Sequence, residues 1–353
     1  MTTATRTDAI LSQVEDRLDR FFDDAAQRAV RHSPHYEDLW RELRASAAGG
    51  KRLRPRLVLA AYLHLGGATP EPAVELAAAI ELLHTALLLH DDVIDGDVER
   101  RGAPNLVGAF AAASERAGLP SAAAARWGQS AAILAGDLLL TAAIRLTADL
   151  DIAPARRERL VALVDESIFR AAAGELADVA YASGLGTPTP AEIRDMMADK
   201  TAHYSLELPL RAASILAGAP EIVGDRLGAI GRSLGLVFQM RDDLLGVFGR
   251  SEETGKSASN DLREGKQTML VAYARESDAW ARTAELFGDQ GLEETGVELL
   301  RETLEHSGAR ARFEAEIARE CDATLALIDA AGLPDALATL LADEARCAAE
   351  RWA

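Results

Sequence analysis

Short segments rich in glycine and proline divide the sequence into long stretches dominated by alanine and leucine. These segments are "GGATPEP" at 66–72, "RRGAPN" at 100–105, "SGLGTPTPAE" at 183–192, "AGAPE" at 217–221 and "AGLPD" at 331–335. Glycine and proline end helices, and the stretches between them lack the alternating Val, Ile and Thr that is typical of strands. The pattern predicts an all-α protein. Because no long low-complexity linker interrupts it, we expect a single domain over residues 1–353.

The charge balance excludes a general nucleic-acid surface. With 38 basic and 56 acidic residues the formal net charge is −18, whereas binding to a phosphate backbone requires a basic field.

The N-terminus lacks the basic start and apolar stretch of a signal peptide. Apolar runs such as "AAILAGDLLLTAAI" are interrupted by a charge before the ~20 residues of a membrane span. We therefore expect a cytoplasmic protein with no nucleic-acid partner and no stable membrane insertion.

A segment free of helix breakers, from Pro72 to Gly96, ends in a cluster of carboxylates. Asp91 and Asp95 are one helical turn apart, so their like charges repel by a few tenths of a kcal/mol. The cluster is either a solvated helix end or a site that supplies compensating charge. Residues at the three-and-four spacing that places side chains on one stripe of this helix are Ile80, His84, Leu87, Asp91 and Asp95.

A second acidic pair, Asp242 and Asp243, also follows an apolar helical run. Carboxylates of this kind are hard oxygen ligands for Mg²⁺, which completes its coordination with water and substrate phosphates. Basic residues that suit a phosphate, Lys51, Arg52 and Arg54, occur in "GGKRLRP" at 49–55. This segment lacks the GxxxxGK[ST] spacing of a nucleotide-binding loop, so the pattern favours another phosphorylated ligand.

These segments resemble, in the same order, the motifs of the trans-isoprenyl diphosphate synthases, the polyprenyl synthetase family, and its bacterial geranylgeranyl diphosphate synthases in particular. The resemblance implies a helical bundle of the isoprenoid synthase type with a central active-site cavity, and a homodimer. The matching pieces, over about residues 45–270, are "GGKRLRP", "LLHDDVIDGDVERRGAPN", "GD" at 136–137, "KT" at 200–201, "FQMRDD" at 238–243, "TGK" at 254–256 and "DLREGKQT" at 261–268.

The resemblance implies a transferase that condenses isopentenyl diphosphate with an allylic diphosphate, with three Mg²⁺ in each active site. The ligands that it implies for these ions are Asp91, Asp92, Asp95 and Asp242. Its isopentenyl diphosphate pocket would contain Lys51, Arg54, His84 and Arg101. The residues that would bind the allylic diphosphate are Arg100, Lys200, Lys256 and Lys266. Lys200 would act directly in catalysis, and the groups near the allylic cation would be the Thr201 carbonyl and the Gln239 amide oxygen.

The residues before the first acidic motif bear on product length, and two other functions compete with chain elongation. Farnesyl-making members carry aromatic residues four and five positions before the first motif aspartate, where this chain has Leu87 and Ala86. We therefore expect a geranylgeranyl product and expect Ala86→Phe to shorten it; a farnesyl or longer polyprenyl product is the alternative. One competing function is that of a terpene cyclase, which would not need the isopentenyl pocket; Lys51, Arg54 and Arg101 therefore count against it. The other is a non-catalytic subunit of a heteromeric synthase, which tends to lose the acidic motifs, whereas this chain keeps the first one whole.

The second acidic motif departs from the family pattern at its last position. The family usually has a third aspartate there, whereas this chain has Gly246. We expect Gly246→Asp to be tolerated with a modest effect on metal affinity.

Overall fold

The computed structural model describes residues 3–100, 102–249 and 260–351, and nearly all of their regular structure is helical. The predicted all-α class is confirmed. The elements up to the middle of the chain are α1 (Thr3–Ala29), α2 (Pro34–Ala47), α3 (Leu53–His64), α4 (Glu71–Ile94), β1 (Glu99–Arg100), β2 (Ala103–Pro104), α5 (Leu106–Arg116), α6 (Ser121–Ala148) and α7 (Pro154–Ala182).

The later elements include one π-helix and one short 3₁₀ helix. They are α8 (Pro190–Met197), the π-helix (Ala198–Glu207), α9 (Leu208–Ala217), α10 (Glu221–Phe248), α11 (Asn260–Glu264), α12 (Met269–Ala274), α13 (Asp278–Ala281), the 3₁₀ helix (Ala284–Leu286), α14 (Glu294–His306), α15 (Ala309–Ala330) and α16 (Asp335–Glu350).

The helices form two compact units. Unit 1 comprises residues 1–165 and 209–224. Its central helix is α4, which packs against α1, α3 and α6, while α5 packs on α6. The observed bounds of α4 agree closely with the predicted segment because its signals are local. Pro72 lies in the first turn of α4, and Gly96 adopts a positive φ of 72° directly after the Asp95 cap.

Unit 2 comprises residues 166–208 and 225–353. Its α12 is buried along its whole length and packs against α8, α14 and α15, and α15 packs on α16. A buried polar contact joins α10 to α15, since the Ser233 hydroxyl donates to Glu320 over 2.6 Å. The start of α8 is fixed by a capping box between Thr189 and Glu192, with Pro190 in its first turn.

Among the described residues, two helices are long and apolar enough to cross a membrane by length and composition, namely α4 and α6. In α4, 72% of the apolar window is buried inside the structure, as in the core helix of a globular protein. In α6 the buried share is 50%, and Ile133 and Leu134 are among the large apolar side chains that remain exposed.

Candidate active site

The first acidic motif lies at the C-terminal end of α4 in unit 1, and Arg100 binds two of its carboxylates. The Arg100 guanidinium donates from Nε to Asp92 Oδ1 over 2.8 Å and from Nη2 to Asp91 Oδ2 over 3.0 Å. Asp92 is buried, whereas Asp91 is partly exposed. Although burial opposes the charged form, Asp92 and Asp91 raise the pKa of Arg100 above its ordinary value. The structure thus brings together three of the predicted site residues.

A tight hairpin returns Arg100 to the end of α4. Strands β1 and β2 pair Arg100 with Ala103, and Gly102 in the turn has a φ of 73°. Asn105 then caps α5 by accepting from the Gly108 amide over 2.9 Å and donates its own Nδ2 to the Asp97 carbonyl. A Cβ at Gly108 would lie 2.1 Å from the Val98 carbonyl oxygen, so only glycine permits this return.

The donor set of this motif fits a divalent metal ion. Carboxylate oxygens of Asp91 and Asp95 lie within 4.8 Å of one another, and Asp95 is exposed at the end of the helix. Hard carboxylate oxygens with access to solvent are what Mg²⁺ requires, because the ion keeps several waters or substrate oxygens in its coordination shell. The metal role of Asp91, Asp92 and Asp95 remains a prediction that this geometry supports.

The basic segment before α3 is anchored by Arg52, which we expected to suit a phosphate together with Lys51 and Arg54 but which binds two carboxylates instead. Arg52 adopts a left-handed backbone with φ 48° and is the one non-glycine residue with positive φ in the described part of the chain. Its buried guanidinium binds Glu15 over 2.6 Å and Glu81 over 2.8 Å. These ion pairs to α1 and α4 offset the backbone strain and fix the start of α3, which carries Arg54.

Of four further residues predicted to bind the diphosphates, two lie among the described residues and two do not. Lys51 is exposed and His84 is half-buried on α4, on the same stripe as Asp91. Arg101 and Lys256 lie outside the described residues.

In unit 2, Lys200 and Thr201 lie on the π-helix. Lys200 Nζ is 2.7 Å from Asp178 Oδ2 and 3.0 Å from Glu175 Oε2, both on α7. The Lys200 and Thr201 side chains are partly exposed. π-helical turns are rare and often occur at functional sites because their wider turn displaces the backbone from its α-helical path. The ion pairs hold Lys200 in a defined position.

Glycines on α7 and α10 make room for the π-helix. A Cβ at Gly174 would lie 2.1 Å from the Lys200 backbone nitrogen, and one at Gly235 would lie 2.6 Å from Ala202 Cα. A Cβ at Gly231 would lie 2.7 Å from Glu207 Cα. Backbone atoms cannot rotate away as side chains do, so these three positions set the distance of the π-helix from its neighbours.

A polar network around the buried His203 and Glu207, which sequence reasoning missed, ties the π-helix to α7 and α10. Arg170 Nη1 lies 2.9 Å from His203 Nε2, and His203 Nδ1 lies 2.6 Å from Glu207 Oε2. Burial opposes ionisation of Glu207, but hydrogen bonds from His203 and Arg232 lower the pKa of its carboxyl to about 2. The four-residue spacing of His203 and Glu207 was the available signal.

The second acidic motif lies near the end of α10, and Gln239 and Lys266 both bind its buried carboxylate. Gln239 Nε2 donates to Asp243 Oδ1 over 3.0 Å, and Lys266 Nζ donates to the same oxygen over 3.1 Å. Burial opposes the charge on Lys266, but Asp243 and Asp261 raise the pKa of this lysine well above its ordinary value. Asp242 is exposed, and Arg351 donates to its Oδ1 over 3.0 Å.

The expectation that Gly246→Asp is tolerated stays a prediction, and the structure shows which side chain the new aspartate would meet. A Cβ at Gly246 would lie 2.2 Å from Asp261 Oδ2 and 2.8 Å from Asp261 Cγ. An aspartate there would require the Asp261 side chain to move and would bring two carboxylates close together.

Comparisons with known proteins agree with the motif order. The family profile described as Polyprenyl synthetase matches residues 39–303. The chain is 32% identical to a geranylfarnesyl diphosphate synthase of Aeropyrum pernix, over 80% of this chain and 86% of the relative. It is also 32% identical to a (2E,6E)-farnesyl diphosphate synthase of Mycobacterium bovis, over 97% of this chain and 90% of the relative.

The same likeness holds among solved structures. A geranylgeranyl pyrophosphate synthase from Corynebacterium glutamicum, crystallised with isoprenyl diphosphate and magnesium, superposes with a TM-score of 0.90 at 29% identity. The match covers 97% of this chain and 98% of that one. The likeness therefore extends well beyond the motif-bearing region.

We predict that Gly174→Ala destabilises the protein, because the added methyl group must displace the Lys200 backbone. Overpacking of this kind lowers the free energy of unfolding by about 1–3 kcal/mol. Helix propensity alone favours alanine over glycine and would stabilise the Gly174→Ala variant by about 1 kcal/mol. The reverse change Ala173→Gly, at the exposed neighbouring position, measures this contribution by itself. Urea unfolding of both variants measures the difference; a Gly174→Ala protein as stable as the wild type would contradict the close contact.

Proposed function

The chain belongs to the polyprenyl synthetase family and is therefore a prenyltransferase, and we propose that it condenses isopentenyl diphosphate with an allylic diphosphate in the head-to-tail, trans sense. The observation that carries this proposal is that Arg100 donates hydrogen bonds to both Asp91 and Asp92, beside an exposed Asp95. An acidic motif for metal with an arginine attached to it suits a substrate that is itself a metal-bound diphosphate.

Metal binding divides between the two acidic motifs. Asp91, Asp92 and Asp95 would hold Mg²⁺ at the first, and Asp242 would hold it at the second, with three ions in each active site. When bound, Mg²⁺ supplies positive charge that neutralises the diphosphate leaving group.

The basic residues assist ionisation. Arg100, Lys200 and Lys266 stabilise the negative charge that develops on the departing diphosphate as the carbon–oxygen bond breaks to give an allylic cation. Each of these side chains is held by carboxylates in the structure, so each is fixed in place before the substrate arrives. Preorganised charge of this kind lowers the barrier without reorganisation during the reaction.

The remaining groups guide the cation and the second substrate. Gln239 uses its amide nitrogen to bind Asp243, which orients the amide, and we assign its oxygen and the Thr201 carbonyl to the cation. The double bond of isopentenyl diphosphate attacks the cation, and the released diphosphate removes the proton that restores a double bond. Lys51, Arg54, His84 and Arg101 bind the isopentenyl diphosphate, and Lys256 adds charge near the allylic diphosphate.

We assign a single catalytic domain, a homodimeric assembly and a cytoplasmic location to the protein. The exposed apolar side chains of α6, with Leu134 58% and Ile133 45% exposed, support a face covered by a second copy. A contiguous apolar face is costly in water, whereas burial against a partner removes that cost.

We propose geranylgeranyl diphosphate as the product, and the position that controls its length is Leu87 rather than Ala86. Leu87 is partly accessible and lies one helical turn before Asp91 on the same stripe of α4. Ala86, where we expected an aromatic ring to fill the tunnel, has no accessible surface. A ring added at Ala86 would have to displace packed neighbours, whereas a ring added at Leu87 extends into accessible space.

We predict that turnover requires a divalent metal and that Asp91→Ala removes it while the fold is kept. Loss of a ligand to the charge that neutralises the leaving group costs several kcal/mol of barrier, on the order of 100-fold or more in rate. Arg100 keeps Asp92 as a partner in this variant, so thermal unfolding should change little. Asp165→Asn, an exposed acid on α7, is the control of equal charge change. Full turnover in EDTA would refute the metal role.

We predict that changes in the isopentenyl diphosphate pocket mainly affect KM, whereas changes at the allylic diphosphate mainly affect kcat. Lys51→Ala and Arg54→Ala should raise the KM for isopentenyl diphosphate by roughly 10- to 100-fold, since a charged hydrogen bond contributes about 1.5–3 kcal/mol to binding. Lys200→Gln should instead lower kcat, by about 100-fold or more. Arg56→Ala, an exposed change on the same helix as Arg54, serves as control. The reverse pattern would mean that the two pockets are exchanged.

We predict that Leu87→Phe shortens the product towards farnesyl diphosphate with little loss of stability. Ala86→Phe should lower the free energy of unfolding by about 1–3 kcal/mol because that position is closed. Labelled isopentenyl diphosphate and short allylic primers, followed by sizing of the products, test both variants. Leu327→Phe, at a partly exposed leucine of α15, is the control. An unchanged product from Leu87→Phe would place the length control elsewhere.

A further inference from the structure

A buried ion pair in unit 1 joins the basic segment before α3 to the middle of α4. Arg52 Nη1 lies 2.8 Å from Glu81 Oε1, and the two side chains are only 7% and 9% exposed. The second carboxylate oxygen of Glu81 is also buried and has no hydrogen-bond partner in the part of the chain that the structure describes. Because an uncompensated buried charge is costly, Glu81 requires the cation that Arg52 supplies.

Arg52 holds this contact in a backbone conformation that disfavours side chains. Its φ is 48°, and Gly49 and Gly50 just before it have positive φ values of 76° and 82°. Buried ion pairs add little to stability when compared with apolar residues of similar size, so stability is a weak reason for a strained arginine here. Strain that surrounding contacts maintain is typical of functional sites.

Arg52 and Glu81 each lie beside residues that the proposed function assigns to isopentenyl diphosphate. Arg52 directly follows Lys51 and directly precedes α3, of which Arg54 is the second residue. Glu81 lies three positions before His84 on α4, a spacing that makes the two residues neighbours on the helix surface. The ion pair therefore attaches the segment with Lys51 and Arg54 to the turn of α4 that carries His84.

Resting on the proposed function, we propose that Arg52 is a positioning residue for isopentenyl diphosphate, and that its ion pair with Glu81 holds the two parts of the pocket in place. Arg52 is not itself assigned to the substrate, because all three of its guanidinium nitrogens donate to carboxylates. Nε and Nη2 donate to Glu15, and Nη1 donates to Glu81.

The proposal predicts a selective defect in Arg52→Gly. Glycine adopts the left-handed backbone without strain, so this variant removes the ion pairs but permits the same chain path. We expect the KM for isopentenyl diphosphate to rise roughly 10- to 100-fold, since the charged hydrogen bonds of the pocket lose their alignment. The kcat and the KM for the allylic diphosphate should change little, because Arg100, Lys200 and Lys266 are held by carboxylates of their own.

The double variant Arg52→Gly/Glu81→Leu separates positioning from stability. Arg52→Gly alone leaves Glu81 buried without its cation, so its thermal stability should fall. Leucine at position 81 removes the buried charge, so the double variant should regain thermal stability. The attachment between the two parts of the pocket is still absent, so the KM for isopentenyl diphosphate should stay raised. A purely structural role predicts that this KM recovers together with stability.

Glu75→Gln is the matched control. Arg17 Nε lies 2.7 Å from Glu75 Oε1, and this pair joins α1 to α4 as the ion pairs of Arg52 do, but no residue assigned to a substrate adjoins it in the sequence. Its KM for isopentenyl diphosphate should equal that of the wild type. Calorimetry of isopentenyl diphosphate with each full-length protein measures the Kd without turnover, and this Kd should rise by the same factor as the KM.

A raised KM and Kd for isopentenyl diphosphate in both Arg52 variants, with the control unchanged, supports the proposal. A wild type that forms product, together with Arg52 variants whose KM is unchanged, recovers in the double variant or rises equally for both substrates, refutes the role of Arg52 and leaves the proposed function intact. A wild type that neither forms product nor binds isopentenyl diphosphate refutes the proposed function and the role of Arg52 with it. If Arg52→Gly does not fold, the double variant decides.

Discussion

Three basic side chains each bind a pair of carboxylates, and the candidate active-site residues depend on these shared cations. Partly buried like charges repel, and removing the cation between them would leave two acids uncompensated at a cost of several kcal/mol. In the proposed function, the motif carboxylates would hold the divalent cations, and the basic side chains, already held in place by their ion pairs, would stabilise charge on the diphosphate. The groups are Arg100 with Asp91 and Asp92, Lys200 with Glu175 and Asp178, and Lys266 with Asp243 and Asp261.

The positions of these ion pairs depend on glycine residues, which leave room for close contacts between elements. Gly108 admits the Val98 carbonyl and so closes the hairpin that carries Arg100, Gly174 admits the backbone of Lys200, and Gly246 admits the carboxylate of Asp261. At Gly108 and Gly174 a Cβ would lie 2.1 Å from a backbone atom, so these two contacts tolerate no side chain. The charged groups are therefore placed by close contacts between elements rather than by long side chains reaching across gaps, which keeps them rigid.

Features fixed by neighbouring residues were predictable from the sequence, and features fixed by distant contacts were not. The predicted segment from Pro72 to Gly96 became α4 because apolar spacing and breakers act locally. The left-handed Arg52 was unpredictable, since its strain is offset by Glu15 and Glu81 on two other helices. The π-helix likewise depends on glycines of α7 and α10, and the proximity of Asp261 to Gly246 was unpredictable because Asp261 belongs to a later helix.

Within the proposed function, the stripe of α4 that carries the first acidic motif would set a limit to product length. Along it, Asp91, Leu87 and His84 keep some accessible surface, whereas Ile80 is closed. The accessible part of the stripe thus extends less than about 17 Å from Asp91, at 1.5 Å per residue. Two relatives with the same 32% identity carry the names of different products, farnesyl and geranylfarnesyl diphosphate. Overall similarity therefore does not determine the product; the side chains that close this stripe do, within the proposed function.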